Sequence, residues 1–330
     1  MVDDARASRA VATMRDRDNA SAARTCLVLM ALAAIVLLVV CVILAITILP
    51  VRDGSHDTTP ATAPMAESGK LTFAVLDVGQ GLCAAIVTPD GHAMVIDGGR
   101  SGDRVKQEVI PFLRQHGVER LDYVVITHPD QDHIGGLPTL LDAIPVAAWV
   151  DPVIPTTNQS YERALTMVAD KGIKPIRARR GMDLDLGPGV GVHILWPADP
   201  LAPTASDNNN SVVVKVTWGN VSFLVTGDAE APTERKMIDL EQGEELRSTF
   251  LVVGHHGSSS SSSTAFLDTV SPSVALIPVG LNNSYGHPAD QTIQRLRMRN
   301  IQIYRTDLDG RIEVTTDGRG YDIRTAKAGS

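Results

Sequence analysis

The sequence predicts an α/β protein with two β-sheets and helices on their outer faces, preceded by one membrane-spanning helix. Three observations carry that expectation. Short apolar runs of strand length come in meanders, with helical patterns between them. Residues able to bind metal or move protons fall at the ends of such runs: Asp97, the stretch His128 to His133, Asp228, and His255-His256. Cys26 to Leu49 is an apolar run without a single charge.

At about 1.5 Å of rise per residue that run is long enough to cross a bilayer. A cleaved signal peptide has a shorter apolar region and a small-residue cleavage site close behind it. Here Ile48-Leu49-Pro50-Val51-Arg52 follows, so a retained anchor is expected. The run is apolar on every face, which argues against a buried core helix. Arg6, Arg9, Arg15, Arg17 and Arg24 precede it and only Arg52 lies close after it. The positive-inside rule then puts the N-terminus in the cytoplasm and everything beyond residue 50 outside, on a single-pass cell-membrane protein. The expected organisation is a charged cytoplasmic tail at 1–24, a transmembrane helix at 25–49, a linker at 50–70 and one folded domain at 71–325.

Aromatics make up only 4% of the 330 residues, so Val, Leu, Ile and Ala must build the core. The formal net charge of -8 gives no global footprint for tight, non-specific nucleic-acid binding. Cys26 and Cys41 fall in the span, leaving Cys83 alone in the domain. That excludes an intramolecular disulfide and a cysteine-based zinc site there.

Within the domain, Leu71 to Leu76 is a predicted strand and Asp77 to Gly81 a tight turn. Leu82 to Thr88 and Ala93 to Ile96 follow as strands around Pro89-Asp90-Gly91-His92, where Asp-Gly supplies the positive φ angles of a hairpin. A helix from about Arg104 to His116 stops at Gly117, a suitable C′ glycine. The strand Leu121 to Ile126 leads into Thr127 to Gly136, and after a helix comes the strand Ala147 to Val150. Tyr161 to Gly172 has a helical pattern, while Val190 to Trp196, Ser211 to Trp218 and Val221 to Thr226 are strands. A helix from Pro232 to about Glu241 precedes the buried strand Thr249 to Val253. Val274 to Val279, a helix from Asp290 to Arg299, and strands around Ile301 and Ile312 close the domain.

The chemistry centres on Thr127 to Gly136. His128, Asp130, Asp132 and His133 supply four metal-binding groups within six residues, at a spacing that a strand-end turn can fan around one centre. Neutral imidazoles bind through nitrogen, and the carboxylates offset the cation's charge. Two readings of Asp228 stand side by side: a carboxylate bridging two metals, or a cap on the following helix. His255 and His256 are adjacent at a strand end and point in different directions, so one is expected to bind metal and the other to donate a proton or touch substrate. His287 sits in a loop within reach of phosphate or metal, whereas His92, His116 and His193 are assigned no chemistry.

Taken together, Leu76 to Gly81, Ile96 to Gly99, Thr127 to Gly136, Thr226-Gly227-Asp228, His255 to Ser258 and Tyr285 to Pro288 resemble the metallo-β-lactamase fold family. The likeness is greatest to the extracytoplasmic hydrolase domain of ComEC-type competence proteins, over roughly residues 71 to 320. The resemblance implies a four-layer αβ/βα sandwich with one or two divalent metals between the sheets. His128, Asp130, Asp132, His133, Asp228 and His256 would be the ligands; Asp132, His255 and His287 would be catalytic. The wider family has a histidine where Asp130 stands, and ComEC-type domains share the change. The family's middle histidine has no counterpart, Asp207 to Ser211 occupying that region, and Leu82 replaces the usual acid after Gly-Gln-Gly. Fewer nitrogens and more oxygens shift the expected preference from Zn²⁺ towards Mn²⁺ or Mg²⁺. The sequence shows neither the many-helix channel nor the small β-barrel domain of full-length ComEC proteins, so a DNA channel is not expected of it.

Three functions compete on this evidence. One is a membrane-tethered hydrolase of phosphodiesters such as extracellular DNA. The second acts on cell-wall or lipid head-group phosphodiesters, which suits the acidic balance. The third is a non-catalytic surface module that has lost its metal. Lys174, Arg177, Arg179, Arg180, Arg295, Arg297 and Arg299 offer local positive charge, with solvated faces as the plainer account. No protein partner is inferable from the sequence.

Overall fold

The computed structural model describes residues 69–202, 206–241 and 245–327. The tail, the predicted span and the linker up to residue 68 lie outside these, and among the described residues no helix is long and apolar enough to cross a membrane.

The first half of the domain runs β1 (Leu71–Val75), β2 (Ala84–Val87), β3 (Ala93–Ile96), α1 (residues 102–115), β4 (Leu121–Val125), α2 (Gln131–Ile134), α3 (Leu137–Ala143), β5 (Val146–Asp151), α4 (Gln159–Asp170) and β6 (Lys174–Arg177). The second half runs β7 (Met182–Asp183), β8 (Val190–Trp196), β9 (Val213–Trp218), β10 (Val221–Val225), α5 (Ala231–Glu241), β11 (Phe250–Val252), α6 (Thr264–Val270), β12 (Val274–Ile277), α7 (Asp290–Arg297), β13 (Gln302–Arg305), α8 (Thr306–Asp309), β14 (Ile312–Thr316) and β15 (Tyr321–Thr325). Two sheets result, ordered β15-β14-β1-β2-β3-β4-β5-β6 and β13-β12-β11-β10-β9-β8-β7. The first strand is paired on one side with β14, Leu71 standing opposite Thr316.

Strand alternation divides the apolar residues between layers. On β1, Leu71, Phe73 and Val75 face the second sheet, while Ala74 faces the helices. Phe112, Leu113, Leu137 and Leu140 of α1 and α3 cover the outer face of the first sheet. Phe266, Leu267 and Leu296 of α6 and α7 cover that of the second. The expected four layers, helix–sheet–sheet–helix, are therefore present. Because both faces of each sheet are buried, the central strands are apolar throughout instead of alternating with polar residues.

Several boundaries differ from the sequence reading for physical reasons. β6 contains Pro175 and no apolar pattern, and it is an edge strand, where a missing N–H costs nothing. β15 is also an edge strand and mostly polar. In the β2–β3 hairpin only Gly91 takes a positive φ, 89°, while the Asp90 carboxylate accepts a hydrogen bond from the Thr88 hydroxyl. The lone thiol, Cys83, is fully buried, and burial pushes its pKa up, which keeps it protonated and unreactive.

The sheets meet through an aromatic stack. The Phe73 and Phe223 rings lie 4.2 Å apart and nearly parallel, and Phe250 continues the stack at 4.8 Å from Phe223. The stack is set among Val, Leu and Ile side chains from both sheets, and Phe73–Phe223 is its contact from one sheet to the other. Phe223→Ala is expected to lower unfolding free energy by about 3–5 kcal/mol, measured by denaturant titration. A loss below about 1 kcal/mol would mean that the layers do not depend on this stack.

Candidate metal centre

β3 and β4 run parallel, as do β10, β11 and β12, so the ends of both sets open on one rim of the sandwich. That rim receives Asp97, His128, Asp228 and His255-His256. The two sheets are fastened there by the Val212 N–H, which donates to the Thr127 carbonyl over 2.8 Å. The predicted strand-end turn divides in two: His128 and Asp130 precede α2, whereas Asp132 and His133 lie within its single turn. Gly81 makes room for α2. Its φ is +139°, and a Cβ would stand 2.1 Å from the Asp132 carbonyl oxygen. Leu82, where the wider family carries an acid, is buried in the core between the sheets.

His128 and His133 are fully buried, His256 is 2% exposed and Asp228 4%. One Asp228 oxygen lies 3.2 Å from His133 Nε2. The other lies 3.6 Å from His256 Nε2, 3.6 Å from His255 Nε2 and 3.9 Å from His128 Nε2. Asp132 Oδ2 is 3.3 Å from His256 Nε2. Asp228 therefore faces the four imidazoles, the arrangement that its reading as a metal-binding carboxylate requires.

The opposite nitrogen of each ring is held from behind. His133 Nδ1 lies 2.7 Å from Asp97 Oδ2, and His256 Nδ1 donates to the Pro278 carbonyl over 2.9 Å. His128 Nδ1 is within 3.1 Å of Thr127 Oγ and 3.4 Å of Ser211 Oγ. Such contacts fix the proton on Nδ1 and turn the Nε2 lone pair towards the centre. The Nε2 atoms of His128, His133 and His256 are all buried without a hydrogen-bond partner. Buried nitrogens seldom stay unsatisfied. Two sets, His128–His133–Asp228 and Asp132–His133–His256, each bring their donor atoms within 4.8 Å of one another. These residues fit a divalent cation.

The electrostatics agree. Burial works against charge on His133, but Asp228 and Asp97 outweigh it and lift its pKa well above the ordinary histidine value. Burial likewise opposes ionisation of Asp228 and Asp132, yet the neighbouring imidazoles hold both carboxyls below the usual range. A field that holds protons on imidazoles attracts a metal ion to the same place.

Asp130 is half exposed, its Oδ2 3.5 Å from His128 Nε2, at the open side of the cluster and outside both ligand sets. His255 and His256 have φ of 50° and 54°, uncommon for residues with a Cβ, and the left-handed turn sets their rings 76° apart. His256 thereby points inwards, and His255 stands in the wall, a quarter exposed. The His287 ring centroid is 5.5 Å from that of His255, and burial beside His255 and His256 lowers its pKa. A pocket of about 110 Å³ opens here, with Gln80, Tyr285 and His287 over Asp132 and Asp228.

Sequence reasoning placed Asp97 on this rim but gave it no role, and it passed over Thr127 and Ser211. The Thr127 hydroxyl donates to Asp97 over 2.6 Å, and Ser211 Oγ accepts the Asp228 N–H over 3.2 Å. Ser211 lies in the segment that lacks the middle histidine, which was the available signal. The basic residues take the plainer account where contacts are seen: Arg177 pairs with Asp199, Arg179 donates to the Pro152 carbonyl, and Arg299 grips Asp268.

A sequence profile described as Metallo-beta-lactamase superfamily matches residues 76–280. The chain is 32% identical over 254 residues to ComE operon protein 3 of Bacillus subtilis, covering 72% of this chain and 32% of that protein. It is 33% identical over 246 residues to Competence protein ComA of Neisseria gonorrhoeae, covering 74% and 32%. It is 31% identical over 255 residues to Recombination protein 2 of Haemophilus influenzae, covering 76% and 30%. The chain thus spans about a third of the length of the curated relatives it matches.

If Asp97 orients His133, Asp97→Asn is expected to weaken divalent-metal affinity by about 10- to 100-fold, read by calorimetric titration with circular dichroism as the check on folding. Unchanged affinity in a folded variant would leave Asp97 only the task of fastening Thr127.

Proposed function

The chain belongs to the Metallo-beta-lactamase superfamily, and from that premise we propose that it is a metal-dependent phosphodiesterase acting on DNA, tethered to the outer face of the cell membrane through residues 25–49. The observation that carries this reading is the set of three buried, unpartnered Nε2 atoms, those of His128, His133 and His256, gathered around Asp228. The relatives named for competence and recombination support DNA as the phosphodiester.

His128, Asp132, His133, Asp228 and His256 would hold one or two divalent ions, and Asp130 would complete the set on the open side. A bound divalent ion supplies Lewis acidity towards a phosphoryl oxygen and lowers the pKa of a water molecule. Asp132, whose carboxylate is 21% exposed towards the pocket, accepts a hydrogen bond from the attacking water and orients it. His255, partly exposed in the wall, would take the proton that the attacking water releases and pass it to the departing oxygen. His287, beside His255 in the same pocket, would contact the phosphate. Mn²⁺ is the expected ion, with Zn²⁺ and Mg²⁺ as alternatives, because carboxylates outnumber what an imidazole-rich zinc site would use.

One observation favours a second reading, a cell-wall or lipid head-group phosphodiester: the net charge of -8 repels a polyanion. The intact cluster weighs against a non-catalytic module.

His133→Ala and Asp132→Ala are each expected to remove bound metal and reduce turnover of bis(p-nitrophenyl) phosphate to background, with His92→Ala at the wild-type rate. Wild-type turnover in either cluster variant would rule out this centre. Activity restored after chelation should be higher with Mn²⁺ than with Zn²⁺, and Asp130→His should shift the ranking towards Zn²⁺. An unchanged ranking would remove Asp130 from the ligand set.

A further inference from the structure

We infer that Tyr285 and Arg100 form a subsite at the pocket mouth for an unpaired nucleobase and its adjoining phosphate, so that the substrate strand enters single-stranded. This rests on the phosphodiesterase reading and extends it by naming the form of nucleic acid that the site accepts.

The chain has five Phe, five Tyr and three Trp, and Tyr285 is the one among them that is more than half exposed, at 56%. It stands at the pocket that contains Asp132, Asp228 and His255. One face of its ring lies over His287, centroids 5.7 Å apart and planes 22° from parallel. That geometry leaves the other face free for a flat ligand. The loop beneath is rigidly built around Asn283, whose amide donates to the carbonyls of Gly280 and His287. The Asn283 side-chain oxygen in turn accepts the N–H groups of Tyr285 and His287 over 3.2 and 3.0 Å. An exposed aromatic ring held this firmly is preorganised for binding.

Arg100 stands on the facing loop. It follows the Asp97-Gly98-Gly99 turn, and its carbonyl accepts the Gln131 side-chain amide of α2 over 3.2 Å. Its guanidinium is exposed, and the neighbouring Tyr285 hydroxyl, with a smaller contribution from Asp132, raises its pKa. Arg104 adds a second cation on this rim, its Nε 3.9 Å from where a Cβ on Gly79 would lie. On a chain of net charge -8, long-range attraction contributes little to holding a polyanion. Stacking on an aromatic ring fills that gap, and it requires a base whose face is not already covered in a duplex.

The test measures binding to the full chain by fluorescence anisotropy with three probes of equal length: a thymidine strand, an abasic strand and a duplex. Wild type should prefer the thymidine strand over both others. Tyr285→Ala should cut the thymidine-to-abasic preference by about tenfold, and Tyr285→Phe, which keeps the ring, should retain it within about twofold. Arg100→Ala should weaken both single strands together. Equal binding of thymidine and abasic strands by wild type, tighter binding of the duplex, or a preference untouched by Tyr285→Ala would each overturn the inference. Binding is read apart from hydrolysis. A chain that prefers bases but hydrolyses no phosphodiester would sink the hydrolase reading alone, and one that hydrolyses without base preference would sink this subsite alone.

Discussion

The centre hangs on one buried carboxylate. Asp97 accepts hydrogen bonds from the Thr127 N–H over 2.8 Å and the Thr127 hydroxyl over 2.6 Å, and it backs His133 Nδ1 at 2.7 Å. A single anion thus joins the end of β3, the end of β4 and the turn of α2. It fixes which nitrogen of His133 carries the proton and therefore which one faces Asp228. Without it, the imidazole could rotate or change tautomer, and the two sets of donor atoms that share His133 would lose their common member.

Around that anchor, each half of the sandwich contributes what the other lacks. The first sheet supplies His128, Asp132 and His133; the second supplies Asp228 and the histidine pair. Carboxylates and imidazoles packed this closely attract positive charge, and burial sharpens the attraction by excluding water. The glycines beside the centre serve the same end. Gly227 has a φ of 53°, and a Cβ on it would stand 2.8 Å from that of Thr127. The chain can therefore turn into Asp228 directly against the other sheet.

Much of this was legible in the sequence because the relevant signals are local. The His128-to-His133 spacing, Gly227-Asp228 and the histidine pair each end an apolar run, and the runs themselves mark the central strands. What was not legible depends on partners far along the chain. Asp97 looks like any acid before a Gly-Gly turn until Thr127 and His133 are seen against it. Ser211 acquires meaning only from His128, and nothing local says which of His255 and His256 points inwards, since that follows from two left-handed residues in succession. The edge strands β6 and β15 were missed because they bury little and so show no apolar pattern. Tyr285 stood out in the sequence only as part of the Tyr285-to-Pro288 motif, because the exposure of its ring is not written in any apolar pattern.

The pairing of β1 with β14 has a consequence for the order of assembly. Leu71 and Thr316 lie at opposite ends of the domain's sequence, so the inner edge of the first sheet cannot close until almost the whole chain is available. Contacts of such long sequence separation are slow to form. During synthesis the apolar β1 must wait, exposed, for a partner that emerges last, and in that interval it is open to pairing with another chain. Every residue of the metal centre has emerged by then, but the sheet that supports half of it is still unfinished. Maturation of this domain is thus timed by its C-terminal strands, which contribute none of the candidate ligands.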